Sequence, residues 1–319
     1  MFMDWLALGI LLALVVLFGW LTWRAWKIRH GVLRWLALVP AALLTLLFAL
    51  VLGAALNGYN RFFAERPNPV APLTVAGTPE QIERGRTIAR TCAGCHSPNA
   101  DFPLIGQDFA ANGPPLGTLW AAPLTASHFS EWSDGEIARA VREGVHKSGR
   151  SLLIMPAEAL REMSDEDVSA LIAFIRTHDP ETPPAPPTRL SLAGALLLNV
   201  GPFQTAQAPV SGPVDAPERE PTAEYGDYLL SVSGCRDCHG GNLAGVPPDP
   251  NGPPPGPNLT GVGTSYTEEQ FIALFRSGMR ADGQPLGPGM EWRDYELYTD
   301  DDFRAMYAYF QELRPLPDN

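Results

Sequence analysis

The chain opens with two long apolar runs and continues with an amphipathic pattern that occurs twice. Residues 5–23, WLALGILLALVVLFGWLTW, and 35–57, WLALVPAALLTLLFALVLGAALN, carry no charge. Each is long enough to cross a bilayer as a helix. Pro40 would kink or end a helix in water, but a membrane helix tolerates it near its start. The pair predicts a transmembrane hairpin within residues 1–60. A cleaved signal peptide also has an apolar stretch near its start, but its positive residues come first. Here Arg24, Lys27, Arg29 and Arg34 follow the stretch, and no small-residue cleavage site lies between. That basic loop faces the cytoplasm by the positive-inside rule, which puts everything after about residue 58 on the far side of the membrane.

Beyond the hairpin, proline-rich stretches divide the chain. We expect a linker at 61–77, a first domain at 78–178, a second linker at 179–221 and a second domain at 222–319. The two domain-sized blocks present their signals in one order. TPEQIERGRTIARTCAGCH, from Thr78, and TAEYGDYLLSVSGCRDCH, from Thr222, each read as a capped helix running into a cysteine motif. Residues 132–144 and 266–278 each read as a helix ended by glycine. Residues 164–174 align without a gap to 299–309, each opening on a hydroxyl cap followed by acids at the positive helix end. The predicted fold is mostly α. Within the second linker, RLSLAGALLLNVGPF at 189–203 is apolar but too short to span a membrane. Packing across the two domains is the expected use of it, with docking against one domain or a membrane partner as the alternative.

All four cysteines lie in two copies of one motif, Cys92-Ala-Gly-Cys95-His96 and Cys235-Arg-Asp-Cys238-His239. One zinc held by four thiolates, or two dithiol redox centres, would also use C-x-x-C. Neither accounts for a histidine directly after both pairs. Covalent attachment of haem c does: each cysteine forms a thioether to one haem vinyl group, and the next imidazole sits beneath the iron. The motifs therefore predict two haems c, with Cys92, Cys95, Cys235 and Cys238 as attachment residues and His96 and His239 as iron ligands.

A low-spin haem needs a sixth ligand, commonly a methionine thioether. Met155 lies nine residues before Ser164 and Met290 nine before Thr299, so both hold one place relative to the aligned last helices. They are the expected sixth ligands. Met163, Met279 and Met306 have no methionine counterpart and read as core or loop residues. His146 is the rival to Met155, although Arg280 takes its place in the second block. His30, His128 and His178 read as surface or structural residues, and Trp120, Trp132 and Trp292 as packing residues, with contact to haem or its propionates as their alternative.

Charge narrows the partners. The hairpin holds four basic residues and one acid, leaving 19 basic and 34 acidic residues beyond it, a net of −15. Nucleic acid is excluded as a partner, and a basic or complementary protein surface is favoured.

The order of helix, haem motif, loops, methionine and final helix resembles that of class I cytochrome c domains, and both blocks fit it throughout. The resemblance implies that Gly85 lets Phe174, and Gly226 lets Tyr309, pack closely where the first and last helices cross. It also implies that Pro257-Asn258-Leu259-Thr260 covers one side of the second haem, with the Pro257 carbonyl bonding His239. The first block offers Pro123-Leu124-Thr125 there. Such domains sit on the periplasmic face of the bacterial cytoplasmic membrane, where haem c is attached. With both irons six-coordinate, the expected role is one-electron transfer without a small-molecule substrate, not enzymatic turnover. The donor would be a quinol-oxidising complex or dehydrogenase, and the acceptor another cytochrome, a terminal oxidase of a respiratory chain or a reaction centre. The alternatives are a dedicated cytochrome subunit of a membrane-bound dehydrogenase and, in a different class, a dihaem peroxidase with one displaceable ligand.

Overall fold

A computed structural model describes residues 4–108, 116–182, 184–200, 206–247, 256–287 and 289–319. The apolar runs form α1 (Trp5–Trp26) and α2 (Gly31–Phe63), with α2 passing through Pro40 unbroken. Both are long and apolar enough to cross a membrane, and only 11% of each span is buried, which a core helix of a soluble domain would not tolerate. They pair through stacked Phe18 and Phe48 rings, 5.5 Å apart, and a Thr22–Thr45 hydroxyl contact of 3.2 Å. Asp4 caps α1 by accepting from the Ala7 amide. At the turn Lys27 Nζ lies 3.4 Å above the Trp23 ring, and the Arg34 guanidinium 4.2 Å above Trp26.

The first block contains α3 (Pro79–Arg90), α4 (Ala93–His96), β1 (Gln107–Asp108), β2 (Gly117–Thr118), β3 (Trp120–Ala121), α5 (Asp134–Glu143), α6 (Ala157–Leu160) and α7 (Asp165–Thr177). After it come β4 (Arg189–Leu190) and α8 (Leu192–Leu197). The second block contains α9 (Ala223–Val232), α10 (Cys235–His239), α11 (Val262–Ser265), α12 (Glu268–Ser277), a 3₁₀ turn (Trp292–Tyr295) and α13 (Asp300–Glu312). The strands form two antiparallel two-residue ladders, β1 with β3 and β2 with β4.

Sequence accounts for the helix ends. Thr78, Ser133, Thr267 and Thr299 each close a capping box with the side chain three residues on, so two end donors are satisfied reciprocally. Gly144 and Gly278 end α5 and α12 at φ of 63° and 70°, a left-handed conformation that suits glycine.

The framing contact in each block is a helix crossing, α3 on α7 and α9 on α13. A β-carbon on Gly85 would fall within the Ala170 carbonyl and 2.8 Å from the Phe174 β-carbon. On Gly226 it would fall within the Ala305 carbonyl and 3.0 Å from the Met306 α-carbon. Ala170 and Ala305 are equivalent positions in the aligned helices. Phe174 is thus among the atoms nearest Gly85, as expected, while the atoms nearest Gly226 belong to Ala305 and Met306. Arg236 donates to the Tyr309 hydroxyl at 3.1 Å.

The proline-rich segments lie along the first block. Arg66 N–H donates to the Gly149 carbonyl, Asn68 Nδ2 to Glu143 Oε2, Gln207 N–H to the Glu143 carbonyl and Asp165 N–H to the Val214 carbonyl. The apolar segment at 189–203 departs from expectation, and its residues 201–203 lie outside the described residues. Among the described residues it follows the alternative, docking: β4 pairs with the first block, and α8 lies on α2. Gly58 permits this contact, since a β-carbon there would fall within the Ala195 carbonyl. Asn199 donates to the Ala54 carbonyl at 3.0 Å, Asn57 to Asn199 Oδ1 at 2.6 Å, and Arg61 to the Leu198 carbonyl. Leu8, Ala55, Tyr59, Phe62, Leu190 and Ala195 are buried together there. α2 continues beyond residue 60 because Tyr59 and Phe62 belong to this cluster.

Asp167, 2% exposed, ties the blocks together. It accepts from Arg84 Nε and NH2 at 2.8 and 2.7 Å, from the Tyr228 hydroxyl at 2.7 Å and from Arg219 at 3.2 Å. Burial would raise its pKa, but the Arg84 hydrogen bonds and charge, with Tyr228 and Arg219, hold it below the usual carboxylate range. Its stabilisation is therefore present above the ordinary carboxylate pKa and is lost as pH falls through the depressed value.

Gly85→Ala and Gly226→Ala are each expected to destabilise by about 1–3 kcal/mol. Gly241→Ala, where nothing lies within 4 Å, is the near-neutral control in thermal melts of the extracted protein. Asp167→Asn is expected to cost about 3 kcal/mol at neutral pH, as breaking a buried ion pair does. It should also flatten the acid limb of stability against pH, measured by denaturant unfolding between pH 3 and 7.

Candidate haem-binding sites

The two cysteine motifs fold as single helical turns, α4 and α10, held by their own blocks. Cys92 packs against the core and Cys235 is buried, whereas Cys95 is exposed and Cys238 half-buried. Burial, with the neighbouring Cys95, pushes the Cys92 thiol up to about 12, and burial pushes Cys235 up to about 11. Thus in each pair the first cysteine is the more deeply set of the two.

Both histidines are oriented the same way. His96 Nδ1–H donates to the Ala122 carbonyl at 2.6 Å, and His239 Nδ1–H to the Pro257 carbonyl at 2.8 Å. The donation leaves Nε2 of each ring with its lone pair free for a metal. Burial lowers both imidazole pKa values, against the pull of these carbonyls, and so favours the neutral ring.

The loops supplying those carbonyls are closed alike. Gly106 N–H donates to the His96 carbonyl and Gly245 N–H to that of His239, at 2.7 and 2.9 Å. Leu124 N–H donates to the Leu104 carbonyl and Leu259 N–H to that of Leu243, at 2.9 and 2.8 Å. The expected Pro257 contact is present. In the first block the acceptor is Ala122, one residue before the Pro123-Leu124-Thr125 stretch singled out in the sequence. The shared Leu-Thr at 124–125 and 259–260 places Ala122 opposite Pro257, and this signal could have found it.

The methionine loops also repeat. Bridges join Val145 to Ser151 and Met279 to Pro285. Leu152 N–H donates to the Gly144 carbonyl at 2.7 Å and Leu286 N–H to the Gly278 carbonyl at 2.8 Å. Each ladder leads to a methionine whose carbonyl accepts from the amide two residues on, Ala157 for Met155 and Trp292 for Met290. Both methionines are half-buried. His146 sits within the first ladder, its Nδ1 at 2.9 Å from the Ser148 hydroxyl and its ring edge-on to Trp132 at 4.8 Å. Burial first, then Arg150 and Lys147, pushes His146 down to about 4. His178 is structural: Nε2 accepts from the Leu104 amide at 3.3 Å and the ring stacks on Phe174.

The residues fit a haem c in the first block on two grounds. The donor set pairs two thiols with a neutral imidazole one residue on, and the buried Trp120 Nε1–H has no acceptor among the described residues. A haem carboxylate would supply one. In the second block the fit rests on the same donor set.

Residues 82–179 match the cytochrome c family, so the chain carries a cytochrome c domain that binds haem c covalently. Its relatives include cytochrome subunits of dehydrogenases. It is 24% identical over 273 residues to the fructose dehydrogenase cytochrome subunit of Gluconobacter japonicus, covering 78% of this chain and 56% of that protein. It is 27% identical over 290 residues to the cytochrome c subunit of alcohol dehydrogenase (quinone) from Gluconacetobacter polyoxogenes, covering 78% and 60%. The gluconate 2-dehydrogenase cytochrome c subunit of Pantoea cypripedii is 33% identical over 96 residues, covering 27% of this chain and 22% of that one. The chain thus spans little more than half the length of the first two.

Proposed function

We propose that the chain is a membrane-anchored dihaem cytochrome c that serves as the electron-transfer subunit of a dehydrogenase complex. The carrying observation is that similarity to dehydrogenase cytochrome subunits covers 78% of the chain, far more than residues 82–179. This favours the dehydrogenase subunit over a general carrier between a quinol-oxidising complex and an oxidase. The repeated helix crossing, histidine acceptor and methionine ladder support a second cytochrome c domain at 222–319.

In this reading Cys92, Cys95, Cys235 and Cys238 attach two haems c. His96 and His239 would hold the irons through their imidazoles, and Met155 and Met290 would supply the further ligands. Haem c supplies a centre that accepts and gives up one electron without making or breaking bonds. The protein orients each imidazole through the Ala122 or Pro257 carbonyl and buries the thioether side. Matched methionines favour filled coordination in both blocks and count against a peroxidase. α1 and α2 cross the membrane with the basic turn in the cytoplasm, and the haem domains face the periplasm. The clamp of α8 on α2 keeps them at the membrane surface, raising the effective concentration of membrane-bound partners.

Met155→Ala is expected to remove the sulfur-to-iron charge-transfer band of one haem and leave the other intact; an unchanged spectrum would transfer the role to His146. Affinity purification from membranes in mild detergent is expected to bring down a flavoprotein or quinoprotein dehydrogenase subunit. Recovery with an oxidase and no dehydrogenase would reverse the choice between the two roles.

A further inference from the structure

The two attachment turns share one interface. Arg90, two residues before Cys92, is 1% exposed. It donates to Asp294 Oδ1 at 2.8 Å, Glu296 Oε1 at 3.0 Å and the Ala100 carbonyl at 3.0 Å. A buried guanidinium needs these carboxylates, so the segment after Met290 is held on the first attachment turn. Gly94, inside that turn, marks how closely. A β-carbon there would lie 3.2 Å from Glu291 Oε2 and 3.7 Å from Asp294 Oδ2.

Glu291 stands between the two motifs. It directly follows Met290 of the second block, while its carboxylate lies against Gly94 of the first attachment turn. The same stretch reaches the second attachment turn, where the Tyr295 hydroxyl donates to the Ser233 carbonyl at 3.0 Å and lies 3.9 Å from Cys235 Sγ.

Resting on the two-haem reading, we propose that Glu291 is a positioning residue common to both haem sites. Its charge sets both reduction potentials, and its contact with Gly94 marks the face across which the blocks exchange an electron. Negative charge favours the ferric state, so one carboxylate beside both attachment turns would lower both potentials together. In the exchange one electron leaves a ferrous iron, which becomes ferric, and reduces the ferric iron of the other block; no proton or bond moves. Glu291 is exposed, so it is replaceable without opening the core.

The test is a potentiometric titration of the full-length protein in detergent, with haem counted by pyridine haemochrome for every variant. Glu291→Gln is expected to move both redox waves to higher potential, Glu291→Asp to restore both, and Glu312→Gln, which removes a charge at the far end of α13, to move neither appreciably. Intramolecular electron transfer after flash photoreduction is expected to change severalfold in Glu291→Gln alone. Two haems with only one wave shifted, or none, would overturn the role of Glu291 while leaving the dihaem reading intact. One haem per chain would overturn that reading and the proposal with it.

Discussion

Wherever a helix lacks a side chain at its crossing point, a second helix can lie across it with backbone where the β-carbon would have been. Gly85 and Gly226 create that condition in the two blocks, and the crossings they permit fix the first and last helices of each. The attachment turns follow directly from α3 and α9, so the crossing decides where each cysteine pair and histidine stand. α7 and α13 in turn fix the positions from which the methionine loops are measured. A third glycine, Gly58, uses the same device to seat α8 on α2. Backbone proximity thus connects the anchor to the domains as well as the helices within each domain.

Charge does for the pair of blocks what glycine does within each. Asp167 and Arg90 are buried ions with partners in both blocks, and neither is tolerable unless its partners are in place. These pairs make the relation between blocks specific where an apolar contact alone would allow sliding. They also bring carboxylates against the first attachment turn. In the same contact Asp294 is pushed up to about 6 by burial and Glu291, against the pull of Arg90.

The sequence was most informative where one constraint is local or occurs twice. The cysteine motifs, the capping hydroxyls, the glycine stops and the methionine spacing are each set by short-range geometry, and two copies separate signal from coincidence. Long-range pairings were not legible. Nothing in the residues around Arg90 reveals that its acids lie some two hundred positions away. The acceptor for His96 was missed by one residue because a backbone carbonyl carries no residue signature. The apolar segment near 190 read as a contact between domains because its hydrophobicity is visible in sequence and its partner is not; Ala55, Gly58 and Tyr59 already belonged to a membrane helix.

In the proposed function both blocks would hold haem in the same way, each with one histidine and one methionine as ligands. Near-infrared magnetic circular dichroism of the fully oxidised, full-length protein tests this most directly. We expect two low-spin ferric centres per chain, both with sulfur-to-iron charge-transfer intensity. A single centre, a high-spin signal or a bis-histidine signature from either block would contradict it.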